Sequence, residues 1–274
     1  MSEVQRIIKY LAIAFALFLA VSIVSGIMYG FIRVATIFNK DNEVSKSVEN
    51  IKVSEDISYL DIDVDDVNII IKDGDKLKLE TNSKYLKTKE DNKKLYVEQK
   101  ENNWFNKEKT VDLIIYLPKD FVFNDISIEA GAGKIEIEKL ITNKLELDLG
   151  ACRVNINNIL VLNKAKIDGG AGEVIINNGI LNDLDLEMGV GKFTLTTKLV
   201  GNSMIDHGVG ELDLNLVGDE EDYQIYLNEG LGEVKVNGDK VYNNETVGNG
   251  DNKIDIDGGV GNITIDFIKE VKNN

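Results

Sequence analysis

A pair of glycines separated by a single residue recurs along the chain, and three kinds of site use glycines in this way. The pair stands in "IEAGAGKIEI", "IDGGAGEVII", "LDLEMGVGKFTL", "IDHGVGELDL", "LNEGLGEVKV" and "IDGGVGNITI". A glycine-rich loop holds a phosphate group when it lies between a strand and the amino end of a helix. Repeats of the form Gly-Gly-x-Gly-x-Asp bind calcium. Glycines also turn backbone corners at which a side chain would not fit.

The residues around the pairs fit neither ligand. A run of alternating apolar and polar residues follows every pair, so strands and not helices are expected there, and a nucleotide site is excluded. Val174 and Ile263 stand where the calcium motif needs aspartate, and the pairs recur about every 19 residues, not with a nonapeptide period. We therefore predict that the glycines turn corners. The predicted corner residues are Gly131, Gly133, Gly150, Gly170, Gly172, Gly189, Gly191, Gly208, Gly210, Gly230, Gly232, Gly259 and Gly261.

Cysteine and histidine each occur once. Cys152 replaces the second glycine of one pair, which predicts that this position tolerates a small side chain. A single cysteine excludes a disulfide within the chain and a cysteine-based zinc site. His207 precedes Gly208 and is predicted to be an exposed corner residue, and no Gly-x-Ser-x-Gly elbow accompanies it. We predict no catalytic residues, no cofactor and no metal site, and therefore a protein that is not an enzyme.

An acidic residue stands two positions before the first glycine of nearly every pair. Stacked repeats would align these residues as a ladder that faces outward. Cation capture is one interpretation, and a solvated edge that discourages aggregation is the other. The second is favoured, because no further carboxylates converge at a fixed spacing. The residues at this position are Glu129, Asp148, Asp168, Glu187, Asp206, Asn228 and Asp257.

The pairs define a repeat. Successive pairs are 19, 20, 19, 19, 22 and 29 residues apart, and the longer steps carry the insertions "GDEED" and "DKVYNNETVGNGDNK". Apolar residues recur at fixed offsets, and a spacing of two residues places them on one face of a strand. Each repeat therefore reads as strand, glycine corner, strand and return loop. Because a single repeat cannot bury its apolar face alone, we predict an all-β protein, a β-solenoid of about 19–20-residue repeats. The glycine repeats fill residues 126–267, after an N-terminal β section at 51–125, and 268–274 form a tail.

The N-terminal part of the chain predicts a membrane anchor. Residues 11–32 carry no charge, and as a helix they would span roughly 33 Å, enough to cross a bilayer. Residues 1–35 are thus predicted to be a cytoplasmic head and a single transmembrane helix, followed by a polar linker at 36–50. Basic residues flank the span almost equally, so the orientation follows from the short head and the long acidic domain, which we expect outside the cell. The formal net charge of −16 excludes nucleic acid as a partner.

One segment interleaves aromatic and polar residues. In "ENNWFNKEKT" (101–110), Trp104 and Phe105 lie between two strand-like runs. They are candidates for contact with a partner. The alternative, which we favour, is that they cover the open N-terminal end of the stack.

Residues 51–267 resemble a known bacterial family. The stretches "YLDIDVDDVNIIIKDGDKLKLE" (59–80) and "VDLIIYLPKDF" (111–121), followed by the serial "IEAGAGKIEIEKL" repeats, are similar to the toast-rack, or "putative adhesin", domain. The resemblance implies a β-helical stack on a membrane-anchored envelope protein. Relatives occur with Lia-type systems that sense envelope stress, although the single span here departs from their multi-span arrangement. The family brings no catalytic residues.

These observations lead to two functional expectations. The first is a single-pass bacterial membrane protein, anchored in the lipid bilayer through residues 11–32. Its β-solenoid would be a non-catalytic, adhesin-like binding module for an envelope protein or a cell-wall polymer. The second is an envelope-stress sensor or regulator that works through a membrane partner.

Overall fold

The computed structural model describes residues 49–99, 111–228, 230–242 and 245–269, and most of them are in β-strands. The predicted all-β class is confirmed. Within these described ranges no helix is both long and apolar enough to cross a bilayer. The predicted anchor at 11–32 and the aromatic pair Trp104 and Phe105 lie outside the described residues.

The strands belong to one continuous sheet, and a single short 3-10 helix, Glu220–Asp222, interrupts them within the described part of the chain. In chain order the strands are β1 (Glu49–Ile51), β2 (Tyr59–Asp73), β3 (Lys78–Thr81), β4 (Leu86–Asp91), β5 (Lys94–Gln99), β6 (Val111–Leu117), β7 (Val122–Ile176), β8 (Gly179–Asn182), β9 (Leu184–Val200), β10 (Asn202–Val217), β11 (Tyr223–Asn228), β12 (Leu231–Val236), β13 (Asp239–Val241), β14 (Thr246–Gly248) and β15 (Asn252–Ile268).

The long strands wind as coils that stack in parallel and in register. β9 pairs with β10 so that Leu186 lies beside Ile205 and Phe193 beside Leu212. The same register joins β7 to β9, and β2 to β7. β7 runs through three successive corners without a break in strand assignment. Because equivalent positions of neighbouring coils coincide, each repeating position becomes a column along the stack. The predicted β-solenoid is confirmed.

The interior is filled by the apolar columns on either side of the corner. Alternation along each strand turns every second side chain inward, and the residues three positions before the glycine pair are at most 3 % exposed. The residues two positions after the pair are equally enclosed, at no more than 4 % exposed. The first column is Ile128, Leu147, Ile167, Leu186, Ile205, Ile256 and Leu227 in stack order, and the second is Ile135, Val154, Val174, Phe193, Leu212, Ile263 and Val234.

Stacking does not follow chain order at either end. β15, the last strand, lies between β10 and the coil formed by β11 and β12, and pairs in parallel with all three. At the opposite end β2 lies between β7 and the coil formed by β5 and β6. The first and the last long strands, β2 and β15, therefore each lie one coil inside the stack and are hydrogen-bonded along both edges. The first described strand, β1, lies farther out and pairs antiparallel with β3.

Both outermost coils are closed in the same way. Each is split into two strands at the corner, and each half carries a short antiparallel strand. β4 lies on β5, and β3 on β6, at one end; β14 lies on β11, and β13 on β12, at the other. Short antiparallel strands cover the long parallel edges that would otherwise pair with other chains.

Candidate binding surface at the glycine corner

The glycine positions of the corner leave no room for a side chain, because the backbones of neighbouring coils approach each other closely there. A Cβ built on the first glycine of a pair would collide with the carbonyl oxygen of the equivalent glycine in the neighbouring coil, as at Gly189 against Gly170 and at Gly208 against Gly189. At Gly210 the obstacle is the carbonyl oxygen of Gly191. Five of the second glycines also have φ between +140° and +148°, a conformation that L-residues avoid. These are Gly133, Gly172, Gly191, Gly210 and Gly261.

One coil turns the corner without its second glycine. Cys152 has a negative φ, its side chain is 3 % exposed, and its thiol donates to the carbonyl oxygen of Ala130 at 3.4 Å. Burial raises the pKa of this thiol to about 11, so the reactive thiolate is scarce at neutral pH. A side chain is accommodated here because the backbone changes conformation and turns it inward. Cys152 is a packing residue.

The residue between the two glycines forms a ridge along the corner. In stack order the ridge consists of Ala132, Ala151, Ala171, Val190, Val209, Val260 and Leu231. Its members grow in size towards the end at which β15 lies. Val209 and Val260 are about half exposed, and Leu231 is 74 % exposed. The ridge is thus small and smooth over one half of the corner, and aliphatic and raised over the other.

The acidic ladder lies beside this ridge. Register pairs Asp168 with Glu187, Glu187 with Asp206, and Asp206 with Asp257. The ladder and the glycine backbone line an open groove of about 800 Å³. The acids in its lining are Asp148, Asp168, Glu187, Asp206 and Asp257. In chain order Asn228 is the penultimate ladder residue, but in the stack it is the last, beyond Asp257. Its Nδ2 donates a hydrogen bond to Asp257 at 2.8 Å.

The negative charge is concentrated around Asp206. Partial burial is the first cause that raises the pKa of this carboxyl, and repulsion by Asp257, Asp185 and Asp255 adds to it. Asp168, in contrast, pairs with Lys166 at 2.7 Å. No ion pair involves Glu187, Asp206 or Asp257 within the described ranges. A cationic group at this point would relieve repulsion that the protein itself leaves uncompensated.

His207 is buried, so the prediction of an exposed corner residue was wrong. It is 4 % exposed, and its Nε2 finds no hydrogen-bond partner among the described residues. Desolvation lowers its pKa, since the interior disfavours the charged imidazolium. The alternation of side chains along the strand explains why His207 is buried. Leu149 and Met188, which occupy the same position in other coils, also point inward. These apolar equivalents were the sequence signal for burial.

Two side chains that could take part in catalysis, His207 and Cys152, lie at the corner. His207 has no hydroxyl or thiol nucleophile bonded to it in the described structure, and Cys152 lies in a different coil. Among the described residues no group of three His, Cys, Asp or Glu side chains is placed to hold a metal ion. The step from alanine to valine and leucine between the glycines is visible in the sequence. Only the register shows that Val260 lies between Val209 and Leu231 and that these residues form one ridge.

The sequence profile of the family described as Toastrack DUF4097 matches residues 57–243, which is more than half of the chain. The chain belongs to the Toastrack family. The Toastrack match covers the strands from β2 to β13 and ends before β14 and β15. Among curated proteins none matches the chain.

Three solved structures are similar to this Toastrack chain at 14 % sequence identity, each over 81 % of its length. A "putative cell adhesion protein" from Clostridium sporogenes is covered over 99 % of its own chain, with a TM-score of 0.37. "Putative adhesins" from Bacteroides fragilis and Parabacteroides distasonis are covered over 98 % and 96 %, with TM-scores of 0.38 and 0.40. Scores this low support no conclusion about what the chain binds.

Proposed function

We propose that this Toastrack chain is a non-catalytic binding module of the bacterial cell envelope. In this proposal residues 11–32 anchor it as a single-pass protein in the cell membrane, and the β-solenoid lies outside the cell, where it holds an envelope protein or a cell-wall polymer in an adhesin-like role. The observation that carries the proposal is the open groove along the corner, which is built from backbone and carboxylates in several coils. Such a rigid, repeated surface suits binding to an extended ligand.

The location is tested by protease treatment of intact cells that express the full chain with a tag after Asn274. Loss of the tag from intact cells and from spheroplasts supports an external solenoid. Retention of the tag in spheroplasts, together with cleavage after lysis, contradicts it, because the protease then reaches the domain only from the cytoplasm.

Binding is tested with the full chain in zwitterionic-lipid nanodiscs, mixed separately with isolated cell walls and with solubilised envelope proteins. Saturable retention on one of these, with empty nanodiscs as the blank, supports the proposal. Absence of retention on both contradicts it.

A regulatory role in envelope stress is the second candidate, and it predicts that deletion of the gene changes the transcription of envelope-stress genes while wall binding stays absent.

A further inference from the structure

The end of the corner nearest β15 combines acids with exposed apolar side chains. Glu187, Asp206 and Asp257 stand in the ladder, and the ridge beside them presents Val209, Val260 and Leu231. We call these six residues the C-terminal corner patch. Exposed large apolar side chains in neighbouring coils mark an interaction surface more often than isolated ones do. The patch therefore needs a partner that matches both its charge and its apolar ridge.

The opposite side of the ladder repeats this mixture. The residues two positions before the ladder residues form a second column. In this column Met204 lies between Asp185 and Asp255, and Tyr226 lies beyond Asp255. Met204 is 54 % exposed and Tyr226 is 46 % exposed. Acidic and apolar side chains thus alternate along the stack on this side, so a bound chain would meet apolar contacts on both flanks of the ladder.

The charges of the patch are largely uncompensated by the protein. Within the described ranges the ion pairs at the margin of the patch join Lys166 to Asp168, the ladder residue beside Glu187, at 2.7 Å, and Lys164 to Asp185 at 3.4 Å. Repulsion among Asp206, Asp257 and Asp255 contributes to the raised pKa of Asp206. A positively charged partner would be attracted without first displacing a cation of the protein itself. Charge complementarity therefore predicts that the partner is cationic.

The dimensions suit a short segment and not a folded domain. Neighbouring coils are about 4.8 Å apart, so the four coils from Glu187 to Leu231 extend over roughly 14 Å. An extended peptide of about five residues has this length. Two cationic side chains on one face of such a peptide are about 7 Å apart, which lets a pair of them span the roughly 10 Å from Glu187 to Asp257.

We propose that the C-terminal corner patch binds a short extended peptide segment in which cationic side chains alternate with aliphatic or aromatic ones. The cations lie on Glu187, Asp206 and Asp257, and the apolar side chains cover the ridge at Val209, Val260 and Leu231. The inference rests on the proposed binding function, for which it names the chemistry of the partner. A polycation without apolar groups would leave the ridge exposed, and an anionic polymer would be repelled.

The test uses the full chain in zwitterionic-lipid nanodiscs and three fluorescently labelled pentapeptides. The first alternates lysine with leucine, the second lysine with glycine, and the third glutamine with leucine. Fluorescence anisotropy at low salt is expected to show saturable binding of the lysine–leucine peptide, at least about tenfold tighter than either other peptide. Binding of the lysine–glycine or the glutamine–leucine peptide at equal affinity would overturn the proposal, as would the absence of saturable binding below about 1 mM.

Matched variants assign the binding to the patch. Asp206→Asn combined with Asp257→Asn is expected to weaken binding about tenfold, and Val260→Thr combined with Leu231→Ser by a similar factor. The control is Glu129→Gln combined with Asp63→Asn, a register pair beside the alanine ridge and outside the groove lining, and it is expected to change affinity less than twofold. Equal weakening by the control overturns the assignment. Circular dichroism verifies that each variant is folded.

A last comparison separates this inference from the proposed function. The Asp206→Asn, Asp257→Asn chain is mixed with the cell walls or envelope proteins that the unmodified chain retains. Loss of retention supports the peptide patch. Unchanged retention leaves the binding function standing and overturns the patch as its site, whereas calcium binding by the unmodified chain without peptide binding replaces the proposal with a cation site.

Discussion

The two halves of the glycine corner share one backbone arrangement but present different surfaces. From Gly131 to Gly172 the ridge is alanine, and Asp168 is paired with Lys166. From Gly189 onward the ridge is valine and leucine, and the ladder residues Glu187, Asp206 and Asp257 form no ion pair among the described residues. The comparison shows that the backbone needs glycine, whereas the positions between and before the glycines are left open for recognition. Four changes sharpen or break this distinction.

The largest effect is expected from removal of β15. Deletion of residues 252–274 takes away the buried side chains of Ile254, Ile256, Ile263 and Ile265, which contribute of the order of 6 kcal/mol. β10 then becomes an edge, and β11 and β12 lose their parallel partner. Hydrogen exchange is expected to accelerate at least about a hundredfold in 202–236 and to stay slow in 122–176. Uniform acceleration along the whole stack would show that the two halves are not separable.

Substitution by alanine is expected to be much more destabilising at Gly210 than at Cys152, which occupies the equivalent corner position in another coil. Gly210→Ala places a Cβ against the Gly191 carbonyl oxygen at φ +141°, and should lower the free energy of unfolding by about 3 kcal/mol or more. Cys152→Ala keeps the ordinary φ of its coil and loses only a buried thiol, at a cost of about 1 kcal/mol. Chemical denaturation measures both variants. Equal losses would mean that the glycine-free turn at Cys152 is not a distinct conformation.

Acid is expected to weaken the C-terminal half through His207. Its pKa is lowered in the folded state, so the unfolded chain binds more protons and stability falls as pH drops below about 6.5, the ordinary histidine value. The loss between pH 6.5 and 5 is at most about 2 kcal/mol. His207→Leu, which copies Leu149 of another coil, should abolish this loss in denaturant titrations at the two pH values. An unchanged pH dependence would place its origin elsewhere.

The smallest effect is expected from neutralising one ladder carboxyl. The pKa of Asp206 is raised in the folded state, so its charged form is unfavourable at neutral pH, and Asp206→Asn should stabilise the protein by a few tenths of a kcal/mol. The gain should vanish once the pH falls below the ordinary aspartate value, and should shrink in high salt. Asp148→Asn is the matched change in the other half, and a gain as large there would remove the electrostatic difference between the halves.

Most features of the glycine corner could be predicted from the sequence because the same residue pattern occurs in every repeat. The apolar columns, the glycine positions and the ladder each follow from a side-chain alternation of two residues and from a period near 19. His207 was predicted to be exposed because it adjoins the corner glycine Gly208. The alternation of side chains along its strand instead turns it inward, as it does Leu149 and Met188 at the same position of other coils.

The sequence by itself determined the unit of the fold: which side chains face inward, where the backbone must be glycine, and which positions carry charge. Only the tertiary structure decided the order of the units at the two ends. Any repeat can lie against any other, because all present the same register and similar apolar columns, so local pattern cannot distinguish neighbours. The insertions at 218–222 and 239–253 give the chain the length to pass over a coil. β15 thereby gains partners on both edges, and Val260 and Leu231 come to lie beyond Val209 on one ridge. At the opposite end β2 is also paired on both edges, by β7 and by the coil of β5 and β6.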